Sequence, residues 1–245
     1  MTRKPNTRRA AAKRRRRSPA KGLMYLIASL ILAGLFYAAW FWWDMREWRP
    51  SEDQYPDQGA VIPSASNGVN FRSLKAIGAK FAYLDLQPAS RSFDDDFASR
   101  FAAANEAAID IGIVLHFDPC LRADVQSQRF TTMVPRDGDL LPPAIAVGAT
   151  GDQCAEPVSD AAVESELLTL INQIEMHAGK PAIIKLAQPF EQRHRVASML
   201  ARDLWLERDR ARPDYAGRPW LLWSANRQLV SDASEDPIEW VVVQK

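Results

Sequence analysis

Residues 140–154 read LLPPAIAVGATGDQC. Pro142 and Pro143 stop whatever precedes them, and Ala144 to Val147 form a short apolar run that ends at a glycine and a polar loop. This is the pattern of a buried strand in an α/β protein, where chemistry is normally placed just past the strand's carboxyl end. Here those positions hold Ala146, Val147, Gly148, Ala149 and Thr150, none with a titratable or metal-ligating side chain. A strand framed for catalysis therefore ends without a catalytic group.

Outward from this stretch, short apolar runs alternate with longer amphipathic ones. The pattern predicts strands at 59–63, 80–87, 110–118, 142–149 and 181–187, with helices at 70–77, 93–108, 122–134, 160–178 and 189–201. The helix at 160–178 is the clearest. Val163, Leu167, Leu170, Ile171 and Ile174 share one face, Ser159 or Asp160 can cap its start, and Gly179 can end it. Beyond residue 203 the helices stop, and DLWLERD, PWLLWSANR and IEWVVVQK read as three strands joined by plain loops. Five βα units and three closing strands make eight strands, enough for an irregular TIM-like (β/α) barrel. The alternative, an open doubly wound sheet, ranks second because no glycine-rich phosphate loop follows any strand. No internal repeat is visible.

The amino terminus is different. Residues 1–22 carry ten Lys or Arg and no acid, so the overall charge of +1 leaves the remaining chain near −9. No charge lies between Lys21 and Asp44, and the 21 residues Leu23 to Trp43 suffice for a transmembrane helix, at roughly 30 Å. Tyr37, Trp40, Trp42 and Trp43 crowd its far end, as an interfacial belt would. A cleaved signal peptide is the weaker alternative, since no small-residue cleavage site follows. The expected organisation is a basic cytoplasmic tail (1–22), a single span (23–43), a polar stalk (44–58) and a barrel domain (59–245). The basic run would hold the amino terminus in the cytoplasm and touch anionic lipid, with the barrel on the far side of the cell (inner) membrane. Its place beside a span argues against nucleic acid as a partner.

Several fragments, in order over residues 59 to 240, resemble glycoside hydrolase family 25, the lysozymes that cut peptidoglycan glycan strands. GVNFRSLKAIGAKFAYLDL is similar to the family's first helix and second strand, through Asn70, Phe71, Lys75, Gly78 and Phe81. GDLLPPAIAV resembles its fourth strand, GKPAIIKLAQPF its fifth, and RPWLLWSANR its late tryptophan-bearing strand. The resemblance implies a Glu proton donor and a partner Asp on the fourth strand, and those places here are Gly148 and Ala146. The family's first-strand Asp falls at Val61, its Ser-His turn at Pro63 and Ser64, the aromatic of the fifth strand at Lys185, and a late Gln-Tyr at Ser224 and Ala225. Glycoside cleavage needs two carboxyl groups, one protonated and one ionised. The scaffold is kept and the acids are missing, so family-type catalysis is expected to be lost.

Other polar groups stand near strand ends. Asp85 and Gln87 share one face of a strand, as do Val114, His116 and Asp118. Asp85 and Asp118 facing each other would form a relocated acid pair; the alternative is structural polar groups, an ion pair with Lys185 among them. Asn226 and Trp223 complete the candidate cleft, although a tryptophan in a barrel strand is more often core. His177 and His194 lie on helical stretches and are read as solvent-facing. No His/Cys/Asp spacing suggests a metal, and no cofactor is expected. Cys120 and Cys154 follow adjacent parallel strands and should emerge together, poised for a disulfide; two free thiols are the alternative. The leading expectation is an inactive, wall-associated lysozyme-like protein that binds peptidoglycan or an envelope protein. Its rivals are an active muramidase with a relocated acid pair and a purely structural envelope protein.

Overall fold

A computed structural model describes residues 19–66, 68–86, 96–136 and 138–244. They divide after Met45 into two units. The first holds helix α1 (Pro19–Arg46) up to Met45, and its apolar side chains from Leu23 to Trp43 are exposed. Its stretch Gly22–Arg46, with mean hydropathy 2.0, is long and apolar enough to cross a membrane.

The second unit is a closed eight-stranded barrel. Its strands are β1 (Gln58–Ile62), β2 (Phe81–Leu86), β3 (Asp110–His116), β4 (Ala144–Val147), β5 (Ile183–Leu186), β6 (Leu204–Glu207), β7 (Leu222–Ser231) and β8 (Ser234–Val243). Strands β1 to β7 run parallel, and β8 closes the ring antiparallel to both β7 and β1. Helices α2 (Phe71–Ala76), α3 (Phe97–Glu106), α4 (Ala123–Met133) and α5 (Asp160–Ala178) follow the first, second, third and fourth strands. Five βα units followed by three plain strands is thus the observed architecture.

Alternation along each strand sorts the core into two parts. Outward residues such as Ile62, Leu84, Leu115, Ile145, Ile184 and Leu206 belong to the core layer outside the barrel wall. Inward residues, Phe81, Tyr83, Val114, Ala144, Ile183, Trp205, Leu222 and Val241, fill the barrel. Two glycines make room for this filling. A Cβ on Gly112 would lie 2.3 Å from the Tyr83 ring, and one on Gly59 would lie 2.4 Å from Phe81. The barrel is a packed core beneath its mouth.

Helix α5 begins and ends as its sequence indicates. Ser159 Oγ accepts from Ala162 N at 3.4 Å, and Gly179 turns left-handed at φ 66°. The helix expected at 189–201 is instead two pieces, α6 (Gln188–His194) and α7 (Val196–Met199), broken where Arg195 adopts φ 49°. The Glu191 carboxylate accepts from Ala197 N at 2.9 Å, capping the second piece from the first. His194 is buried rather than solvent-facing, its ring 4.3 Å from that of Phe190 and its Nδ1 3.1 Å from Glu164. His177 is half-buried as well, with Nε2 2.9 Å from the Val134 carbonyl.

Among the described residues no helix follows β6, β7 or β8, and the segment expected as a stalk packs against β7 and β8. Pro50 and Tyr55 are buried, and Gln58 Nε2 donates to both of their carbonyls. Trp48 and Tyr55 lie against Trp223, and Arg49 sits over the Trp240 ring. From Arg46 onward the chain belongs to the barrel unit.

Candidate functional site at the barrel mouth

The next inward position on each parallel strand lies at the carboxyl end of the barrel. Asp85, His116, Ala146, Lys185, Glu207 and Ser224 occupy it on β2 to β7, joined by Glu239 of the antiparallel β8. Lys185 is the centre of this ring. Its side chain is 6% exposed, and its Nζ lies 2.7 Å from Glu239 Oε2 and 3.4 Å from Glu207 Oε1. The ammonium also stands 5.0 Å from the centroid of Trp205. Trp205 Nε1 donates to Ser224 Oγ at 2.7 Å, and Ser224 Oγ donates to Glu239 Oε1. The other Glu207 oxygen faces Arg227 at 4.0 Å.

A lysine buried this deeply keeps its charge only if it is paired. Burial alone would push its pKa down, yet Glu239 and Glu207, helped by Asp85, outweigh that effect and hold it above the ordinary lysine value. Beneath the ring, burial raises the Tyr83 phenol, whose hydroxyl donates to the Pro142 carbonyl at 3.0 Å.

Asp85 and Asp118 do not make a matched pair. Asp85 is bound to His116, with Oδ1 2.6 Å from Nε2. Asp118 is turned into its own loop, its Oδ1 accepting from Cys120 N at 2.9 Å. The Gln126 side chain accepts from Asp118 N and donates to the carbonyls of Asp118 and Leu121. His116, Asp118, Ala146, Gly148, Gln153, Lys185 and Glu207 all line one open groove of about 420 Å³. The bond between Cys120 and Cys154, with Cα atoms 5.4 Å apart, ties together the loops after β3 and β4 that wall this groove. A larger hollow of about 1010 Å³ lies at the opposite end of the barrel. Its cations are engaged internally: Arg202 by Glu175, Arg218 by the carbonyls of Ala197, Leu200 and Arg202. The mouth is the better candidate.

Two expected cleft residues face away from it. Trp223 points outward, 3% exposed, into the core formed with Trp48, Tyr55 and Trp220. Register is the reason: Leu222 and Ser224 take the inward positions of β7, so Trp223 takes the outward one. Asn226 is fully buried, with Nδ2 donating to the carbonyls of Arg46 and Trp48. It fastens the segment after α1. Gln87 lies outside the described residues. Val61 pairs with Glu239 and faces inward without a polar group, and Ala146 and Gly148 leave the fourth strand bare. Sequence reasoning missed Glu207 and Glu239, though each stands two residues from an inward apolar residue, Trp205 and Val241. That alternation was the available signal.

The fold is that of the family 25 glycoside hydrolases. A family 25 glycosyl hydrolase from Bacillus anthracis superposes with TM-score 0.71 at 23% identity, over 80% of this chain and 92% of that one. The bacterial lysozyme from Streptomyces coelicolor follows with TM-score 0.67 and 16% identity, over 77% and 92%. The spore cortex lytic enzyme SleM from Clostridium perfringens gives 0.65 and 16%, over 80% and 69%. No protein-family model matches the sequence, and no curated protein matches it.

Proposed function

We propose that this chain is a membrane-anchored, lysozyme-like protein of the cell envelope that binds peptidoglycan glycan, or an envelope protein, without cleaving it. The observation that carries this reading is the state of the mouth. The fourth strand offers Ala146 and Gly148 where a glycosidase needs carboxyl groups, and the nearby carboxylates are engaged by Lys185, Ser224, Arg227 and His116. Cleavage requires one carboxyl poised to give a proton and another free to stabilise or attack the sugar. A groove of about 420 Å³ lined by His116, Asp118 and Gln153 keeps room and polar groups for sugar hydroxyls. That openness counts against a purely structural protein. Helix α1 is the anchor, with the basic tail on the cytoplasmic side against anionic lipid and the barrel outside the inner membrane.

A second reading has one specific observation in its favour. Glu207 and Glu239 approach the same Nζ, so two carboxylates do stand close together in the mouth. An active muramidase would use these rather than Asp85 and Asp118. Incubation of the full chain, in mild detergent, with purified peptidoglycan separates the readings. Pelleting with the wall and no release of reducing ends is the expected result; release of reducing ends supports the second reading.

A further inference from the structure

Lys185, Glu207, Glu239, Ser224 and Trp205 come from four strands and converge on one point. Two carboxylates face one ammonium, and Asp85 adds to the field there, while Arg227 stands on the far side of Glu207 at 4.0 Å. The Trp205 face supplies the ring surface that cations prefer. Ser224 holds Glu239 in place by its hydroxyl, while its other hydrogen bond fixes the Trp205 indole. The walls therefore support one another as well as Lys185. The point is also reachable, since Lys185 and Glu207 line the open groove.

We propose that these walls form a cation-binding cage, and that Lys185 is its resident occupant, standing where a glycosidase would hold a sugar that develops positive charge. Glycosidase carboxylates flank a carbon that becomes cationic in the transition state. Here an ammonium on the protein's own fifth strand fills the space between two carboxylates. The inference deepens the non-hydrolytic reading, which it rests on only for the cage's origin: the mouth is blocked by charge as well as deprived of its acids. A chain without this ammonium should take up a small protonated amine from solution.

The test is thermal unfolding of the full chain in detergent. Lys185→Ala removes three carbons and the nitrogen, the size of n-propylammonium. Taking the ammonium away from two half-buried carboxylates should lower the melting midpoint by about 10 °C. Propylammonium chloride at millimolar concentration should restore at least half of that loss in a saturable way. Matched sodium chloride and propanol should restore none, and the wild-type chain should not respond. Adding Glu239→Gln to Lys185→Ala should weaken the amine response at least tenfold. Where Lys185→Ala alone does not fold, Lys185→Ala with Glu207→Gln leaves Glu239 as the one carboxylate facing the vacated space and should show the same amine-specific gain. A gain no larger with the amine than with propanol or salt overturns the cage, as does a response indifferent to Glu239→Gln. Hydrolysis of glycan by the wild-type chain would overturn the non-hydrolytic reading and leave this result unchanged.

Discussion

Ala146 and Lys185 are partners in register across β4 and β5, so both side chains enter the barrel mouth at one level. A methyl group thus stands beside a buried ammonium that is already paired with Glu239 and Glu207. Any carboxylate introduced at position 146 would meet Lys185 before it met a substrate.

Restoring the fourth-strand acids should therefore not restore hydrolysis. Space is available: a Cβ at Gly148 would have Ala187 Cβ at 3.5 Å, ordinary contact. The chain carrying both Ala146→Asp and Gly148→Glu should fold and still release no reducing ends above background. Each tenfold in rate corresponds to about 1.4 kcal/mol of transition-state stabilisation, and Val61 still offers no carboxylate. Robust turnover by this double variant would show that charge blockage by Lys185 is not limiting.

The disulfide should matter for stability. Cys120 and Cys154 close a loop with a sequence separation of 34, for which chain-entropy arithmetic gives roughly 3–4 kcal/mol. Denaturant unfolding of Cys120→Ser with Cys154→Ser should show a loss of that order. A loss below about 1 kcal/mol would mean that the two loops are held without the bond.

Alkaline pH should weaken the fold through the mouth and the layer below it. Lys185 is held above its ordinary 10.5, and burial holds Tyr83 above its ordinary 10.0. For a group raised on folding, the stabilisation is complete below the unfolded value and is lost as pH rises through the folded one. Unfolding free energy should thus fall with rising pH above about 10. Lys185→Met and Tyr83→Phe should each flatten that limb. An unchanged slope in both variants would assign the alkaline loss to other groups.

Topology can be read in living cells. With ten basic residues before an apolar helix, a reporter active only in the cytoplasm and fused after Lys245 should be silent. Strong reporter activity would place the barrel in the cytoplasm and remove the wall from its reach.

The barrel was legible because its parallel strands are buried on both faces and bounded by prolines, glycines and caps, as at Pro143 and Ser159. Which face of a late strand turns inward was not. Trp205 and Trp223 look alike in sequence, and only closure of the barrel puts the first inside and the second outside. Lys185, Glu207 and Glu239 are likewise joined by closure, since Lys185 and Glu239 lie 54 residues apart. The fold of residues 46–58 onto β7 and β8 was hidden by their polar composition, although Trp48 and Tyr55 carry the contact. His194 was misread because its stacking partner, Phe190, lies one helical turn before it on a helix only 7 residues long.

The most direct test of a binding function without cleavage is a single incubation of the full chain with purified peptidoglycan, read both for protein in the pellet and for reducing ends in solution. The expected result is protein bound to the wall and reducing ends at the level of a protein-free control. Reducing ends that accumulate with time, and that disappear in Glu207→Gln or Glu239→Gln, would contradict it and make this barrel a working muramidase.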